Sequence, residues 1–402
     1  MAESTAFPNS VELFAYPWDI LDRGPELFID ECAALGVTAL HLTTLYHSGK
    51  FLLPRRREHK VYFPEPGRLL APLDTRQFPE ALRPAHSEIA SSGWLERVAR
   101  AAEPAGIRLF AWTVFHHSST LAGTASQFAI RNIFGDLYPF ALCPSNREVQ
   151  EYSVALAASI RDLGTFDRLD LETIGYLGYY HGHHHEVSAV PLGVLETFLL
   201  SLCFCPACVE AGQFDGIDME SLRRHLQAVL QAKFDADHAV SRHPDNVEQL
   251  LTTVALCRPL QQLIRMRLRI VSSLLAEVRA VYGDRINIFS SSFVGSPSNI
   301  WMEGLSLPSL QDTRDVFHLL AYSADTESVN SDLTLCRAQL GDSDRLNLTL
   351  NLGLPITPTL QNALGKIDFA RQLGVRRFGF FNYGFLGRSR LGWIRQIADA
   401  LR

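Results

Sequence analysis

The sequence has no uncharged apolar run long enough to span a bilayer, which takes roughly 20 helical residues. Its opening stretch, "MAESTAFPNS", also lacks the basic start and apolar segment of a secretory signal. The expectation is therefore a soluble, cytoplasmic protein with no membrane partner. Positive charge is not in excess: 37 Lys and Arg stand against 43 Asp and Glu, a formal net charge of −6. Nucleic acid is not an expected partner, because phosphate binding needs clustered positive charge. The basic run "PRRREHK" at Pro54–Lys60 is the local exception and reads as a solvated loop. Cysteine is sparse, 7 residues in all, an odd number with three crowded into "CFCPAC". In a reducing compartment that spacing speaks for metal or packing rather than cross-links. A glycine-rich phosphate loop after the first apolar run is missing as well, which counts against a dinucleotide-binding open sheet.

What is present is a chain of 402 residues, 47% hydrophobic, enough for a large core. Apolar runs of strand length alternate with longer amphipathic segments, the order of a parallel sheet with crossover helices. The strand candidates are Val11–Trp18, Val37–Tyr46, Ile107–Phe115, Arg168–Leu177, Ile286–Phe293, Val316–Ser323, Leu346–Gly353 and Arg376–Gly384. Several intervening helical segments stop at a glycine, Gly106 and Gly341 among them, as helices do when they close on a left-handed residue. Eight such pairs predict an α/β fold, a (β/α)8 TIM barrel forming one domain over residues 1–402. Two connections are long. Residues 46–92, rich in proline and arginine, form an excursion after strand two. Residues 179–259 form an insertion after strand four that carries a histidine-rich loop, the cysteine cluster and an extra helix. Excursions after strands belong to the face where barrel active sites are built.

The most informative stretch is "RLDLETIGYLGYYHGHHHE", Arg168–Glu186. Strand alternation puts Leu169 and Leu171 on one side, Asp170 and Glu172 on the other. With the leucines against the outer helices, both acids point into the barrel, near its solvated mouth or hydrogen-bonded. A buried ion pair with an arginine such as Arg108 is the structural alternative. The same alternation groups Asn347, Thr349 and Asn351 on strand seven, and Asn287 with Ser291 on strand five. Other strand ends offer Tyr16, Trp18 and Asp19, Tyr46 and His47, and Trp112, His116 and His117. Strand six closes with Tyr322 and Asp325, and strand eight with Asn382 and Tyr383. Aromatic faces among amides, imidazoles and carboxylates suit a sugar, whose ring has apolar faces and a hydroxylated edge.

Two acids flanking a glycosidic bond supply a proton for the leaving group and a nucleophile or base. Glu172, nearest the mouth, is the candidate acid. Asp325 leads the candidates for its partner, ahead of Asp170, Asp19 and Glu186. A separation of about 5 Å would mean retention and about 6.5 to 9.5 Å inversion.

These residues resemble barrel glycoside hydrolases. "LCPSNREVQEY" after strand three, an acidic strand four and then "CFCPAC" are similar to family 42 β-galactosidases, in which such a cluster binds a structural zinc. The resemblance implies Cys143, Cys203, Cys205 and Cys208 as zinc ligands. The later half, with Asp315 opening strand six and Tyr322 and Asp325 closing it, resembles the glycosyl-hydrolase-like barrel proteins more broadly. The pattern departs from family 42 at the chemistry: "DLE" stands where that family has an Asn-Glu pair, and strand seven ends "NLGLP" without the nucleophilic glutamate.

The expected function is thus cleavage or transfer of a glycosidic bond on a carbohydrate substrate, with sugar contact by His181 and stacking by Tyr180. One alternative is a metal-dependent sugar isomerase, epimerase or lyase using His181, His183, His184, His185 and Glu186. The other is a carbohydrate-binding barrel without catalysis. The sequence leaves a homo-oligomer open.

Overall fold

The computed structural model describes residues 9–181, 185–190, 192–235, 247–290 and 296–402. All eight expected strands form, as β1 (Ser10–Ala15), β2 (Ala39–Tyr46), β3 (Arg108–Val114), β4 (Arg168–Glu172), β5 (Ile286–Phe289), β6 (Val316–Ala321), β7 (Leu346–Asn351) and β8 (Arg377–Phe381). Each pairs in parallel with its neighbours, and β1 pairs with both β2 and β8, so the sheet closes into a barrel.

Helices cover the outside: α1 (Pro25–Ala34), α2 (Trp94–Ala105), α3 (Arg147–Asp162), α4 (Arg258–Tyr282), α5 (Thr326–Leu340), α6 (Leu360–Gln372) and α7 (Arg388–Ala400). Local sequence sets their ends. Asn146 accepts a hydrogen bond from the Glu148 N–H at 2.9 Å and so caps α3, while Gly106 and Gly341 close α2 and α5 at φ of 66° and 74°. Leu169, Leu171, Ile286 and Ile288 are buried in the main core, on the helix-facing side of their strands. Each such side chain stabilises the fold by about 2 kcal/mol.

The long excursions build the C-terminal mouth. After β2 the chain makes a small hairpin (Phe51–Leu52 with Val61–Tyr62), then pairs Arg68–Leu69 antiparallel to the end of β2. After β3 comes an excursion that the strand pattern did not predict, with a helix at Ser119–Thr124 and a hairpin of Ala129–Arg131 with Leu137–Leu142. After β4 the helices Val194–Leu200, Pro206–Phe214 and Met219–Asp235 pack with α4 around a second apolar cluster that includes Phe198, Leu226 and Met266. Among the described residues no helix is long and apolar enough to cross a membrane.

Candidate active site

Alternation on β4 places its two acids at different depths. Asp170 is fully buried inside the barrel, where it accepts hydrogen bonds from the Asn287 amide at 2.7 Å and from His41 Nδ1 at 2.5 Å. The other nitrogen of His41 reaches Glu12 at 2.9 Å, and Asn347 donates to the same Glu12 oxygen at 2.7 Å. Burial alone would push the His41 imidazole down, but the flanking carboxylates raise it to about 9. Burial would likewise raise Glu12, yet the His41 contact holds it well below the usual carboxylate range. Asp170 is therefore part of a sealed charge network and does not reach the mouth. Its partner is a histidine rather than an arginine: Arg108 instead reaches the Ser10 hydroxyl at 3.3 Å.

Glu172, two residues further along the strand, opens into a cavity of about 770 Å³ at the C-terminal mouth. The Trp112 indole N–H donates to its carboxylate. Burial raises this carboxyl to about 7; the indole hydrogen bond works against the rise and the Asp170 charge beneath adds to it. The strand end is pinned, since the Phe115 and His116 N–H groups donate to the Glu172 and Thr173 carbonyls at 2.9 and 3.1 Å. Thr173 adopts φ of 56°, a left-handed conformation unfavourable for a β-branched residue, and it lines the cavity beside Glu172. Backbone of this kind costs about 1–3 kcal/mol and tends to occur where a side chain must be aimed. Two residues on, a Cβ at Gly175 would stand 2.2 Å from the Glu303 carbonyl oxygen, so only glycine lets the loop leave the strand there.

The cavity brings together Tyr46, His47, Trp112, His117 and Tyr322, expected at strand ends, and His181, expected from the loop after β4, around Glu172. Other expected residues lie elsewhere. Trp18 is buried behind the mouth, stacked on Tyr16 at 4.4 Å. His116 is tied to the Ser153 hydroxyl at 2.9 Å in the core, and the Tyr180 hydroxyl donates to the Tyr176 carbonyl. Asn351 and Asn382 accept from the Gly353 and Gly384 N–H groups and so shape turns, while the Tyr383 hydroxyl donates to Glu31. None of these six lines the cavity.

The expected partner acid is also displaced. Asp325 is an exposed cap of α5, accepting from the Glu327 and Ser328 N–H groups at 3.1 and 3.2 Å. Asp315 is buried against Arg279 at 2.6 Å, at the other end of β6. Asp19 is buried near Arg55 and Arg56, in a separate small cleft, and Glu186 does not line the cavity. Among the described residues, Glu172 is the one carboxylate in the cavity lining. Residues that strand periodicity does not single out also contribute: Lys50 and Phe63 from the excursion after β2, Ser119 and Phe140 from the excursion after β3, and Phe14 from β1. Phe14 shares the inward face of β1 with Glu12.

The cysteines converge. Cys143 Sγ lies 3.5, 3.7 and 3.6 Å from the sulfurs of Cys208, Cys203 and Cys205, all four side chains being buried. A tetrahedral zinc with bonds of about 2.3 Å to thiolates has sulfur–sulfur edges of about 3.8 Å, so this donor set fits such an ion. The Arg131 N–H points at Cys203 Sγ from 3.4 Å. Of the histidine-rich loop, His183 and His184 lie outside the described residues, as does Ser291. Among the described residues, the other group of side chains close enough to share an ion is the buried Glu12, His41 and His318.

No protein-family model matches the chain, and no curated protein matches it. Solved structures do match. The catalytic domain of β-amylase from Paenibacillus polymyxa aligns with a TM-score of 0.57 at 10% identity, covering 98% of this chain and 100% of that one. β-Galactosidase from Marinomonas ef1 aligns with a TM-score of 0.55 at 9% identity, covering 97% of this chain and 59% of that one. α-L-Fucosidase isoenzyme 2 from Paenibacillus thiaminolyticus aligns with a TM-score of 0.54 at 10% identity, covering 98% and 49%. At such identities the likeness is one of fold.

Proposed function

We propose that the protein is a glycoside hydrolase-like enzyme that cleaves or transfers a glycosidic bond, with Glu172 as general acid. The observation that carries this reading is the carboxyl itself, set at the end of β4 in a large cavity and raised to about 7 by burial. A carboxylic acid poised there can give a proton to a departing sugar oxygen near neutral pH and, once ionised, take one back from water. Trp112, Tyr46 and Tyr322 surround it with aromatic faces suited to a sugar ring. The solved structures that share the fold carry the names of enzymes acting on glycosidic bonds, which supports the same reading.

Asp325, the expected partner, caps a helix. Attack at the anomeric carbon therefore falls to water or to a group on the substrate itself. The four cysteines would hold a structural zinc, a closed site that anchors the insertion after β4 and supplies no step of the reaction. A catalytic metal is not part of the proposal, because neither described group of side chains close enough to share an ion, the four cysteines or Glu12, His41 and His318, lines the cavity.

The test is a panel of phenyl glycosides, whose leaving group is poor, given to the parent protein and to Glu172→Gln. Turnover by the parent, lowered at least about 100-fold in the variant, is expected for loss of a general acid. Equal turnover by both proteins would remove Glu172 from the chemistry.

A further inference from the structure

The cavity wall formed by the loops after β2 and β3 carries a positive charge that a neutral sugar does not call for. Lys50 stands exposed on this wall with no carboxylate partner among the described residues. Beside it run His47 and His117, their rings stacked at 4.1 Å, and His117 in turn meets His181 at 4.1 Å. The Ser119 hydroxyl lies on the same lining. Glu172, the cavity carboxylate among the described residues, is bonded to Trp112 and forms no ion pair with this wall.

We infer that the glycoside taken by this cavity carries an anionic substituent, a sugar carboxylate or a sulfate or phosphate ester, received by Lys50, His117 and Ser119. The inference rests on the glycoside reading of the cavity and narrows it to a substrate class.

The parts have distinct roles. Lys50 supplies the fixed positive charge, and its four-carbon stem lets the ammonium follow an oxyanion entering the mouth. His47 is an orienting residue: its Nδ1 donates to the Ser48 carbonyl at 2.6 Å, which fixes its ring as a platform for His117. His117, held between two other imidazoles and bonded to no carboxylate among the described residues, keeps a ring N–H to offer. Burial holds both His47 and His117 below the ordinary histidine value, so their rings serve as neutral N–H donors and Lys50 carries the positive charge of this wall. The aromatic part of the cavity around Glu172 then receives the ring, leaving the charged substituent to fix its orientation.

The experiment compares 4-nitrophenyl glucoside and galactoside with their 6-carboxylate, 6-sulfate and 6-phosphate counterparts. Binding is measured by calorimetry on Glu172→Gln, and turnover on the parent. At least one charged probe should bind about tenfold or more tighter than its neutral counterpart, the difference expected of one charge-assisted contact. Lys50→Met should abolish that ratio and Lys50→Arg should retain most of it. The probe that gains tells a carboxylate from an ester. Neutral probes binding as tightly as charged ones, a ratio unchanged in Lys50→Met, or no binding by any probe would each overturn the inference. Turnover without charge preference sinks this inference and leaves the glycosidase reading standing. Charge-selective binding without turnover does the reverse.

Discussion

Glu172 and Asp170 are the same kind of acid on the same face of one strand, and their surroundings give them different work. Glu172 meets a cavity and one indole N–H, so burial dominates and its carboxyl rises to about 7. If the protonated form is the reactive one, activity on aryl glycosides is full at low pH and falls as the pH rises through about 7. A rate that stays level to pH 9 in a kcat/KM profile would contradict this. Asp170 meets His41 and Asn287 and is sealed from solvent. Removing one member of a buried charged pair strands the other, at a cost of about 3–5 kcal/mol. Asp170→Asn should accordingly lower the stability measured by urea unfolding by an amount of that order, and a change below about 1 kcal/mol would show the network to be dispensable. At this scale the sequence was only half legible. Alternation gave the inward direction of both acids, but depth along the strand depends on the barrel's stagger, which the sequence pattern does not state. Asp325 shows another limit. An aspartate directly before "TESV" carries the signature of a helix cap, and that local role is the one the structure displays.

At the scale of elements, the insertion after β4 packs its helices around an apolar cluster separate from the main core, whereas the four cysteines belong to the main core itself. Cys143 follows the hairpin after β3, whereas Cys203, Cys205 and Cys208 lie in and just before the helix Pro206–Phe214. A shared zinc would tie two excursions that the Phe204 N–H, donating to the Arg131 carbonyl at 2.7 Å, also brings together. Purified protein should contain about one zinc per chain, and Cys205→Ser should lose the metal and unfold at a lower temperature. Metal-free parent protein with an unchanged melting temperature after zinc addition would count against the site. The C-x-C-x-x-C spacing pointed to three of these cysteines, and the fourth, Cys143, came from the resemblance to family 42 β-galactosidases. The hairpin after β3 was less legible: its strands are short, although Asn132, Gly135 and Asp136 carry turn chemistry.

For the whole molecule, strand and helix periodicity was enough to predict a closed barrel, because eight apolar runs separated by helical segments leave few other arrangements. What it left out of the polar interior was Glu12 and His41, which link Asp170 to Asn347. Glu12, His41, Asp170, Asn287 and Asn347 join five strands through one hydrogen-bonded network, and each sits on the inward face of its own strand. This network ties stability to pH at both ends. Glu12 is depressed, so its contribution is present above the ordinary carboxylate value of 4.5 and is lost as the pH falls below it. His41 is raised, so its contribution is complete below 6.5 and is lost as the pH rises through about 9. Urea unfolding across pH should show stability declining in both directions from this middle window, and a curve that keeps rising to pH 10 would contradict the assigned charges.

The most direct test of the central claim, that Glu172 protonates a leaving sugar oxygen, is the dependence of rate on the leaving group in Glu172→Gln. Acid assistance matters most for poor leaving groups. The variant should therefore cleave phenyl glycosides at least about 100-fold more slowly than the parent, yet approach the parent rate on 2,4-dinitrophenyl glycosides. An equal loss on both, or no loss on either, would show that this carboxyl is not the acid.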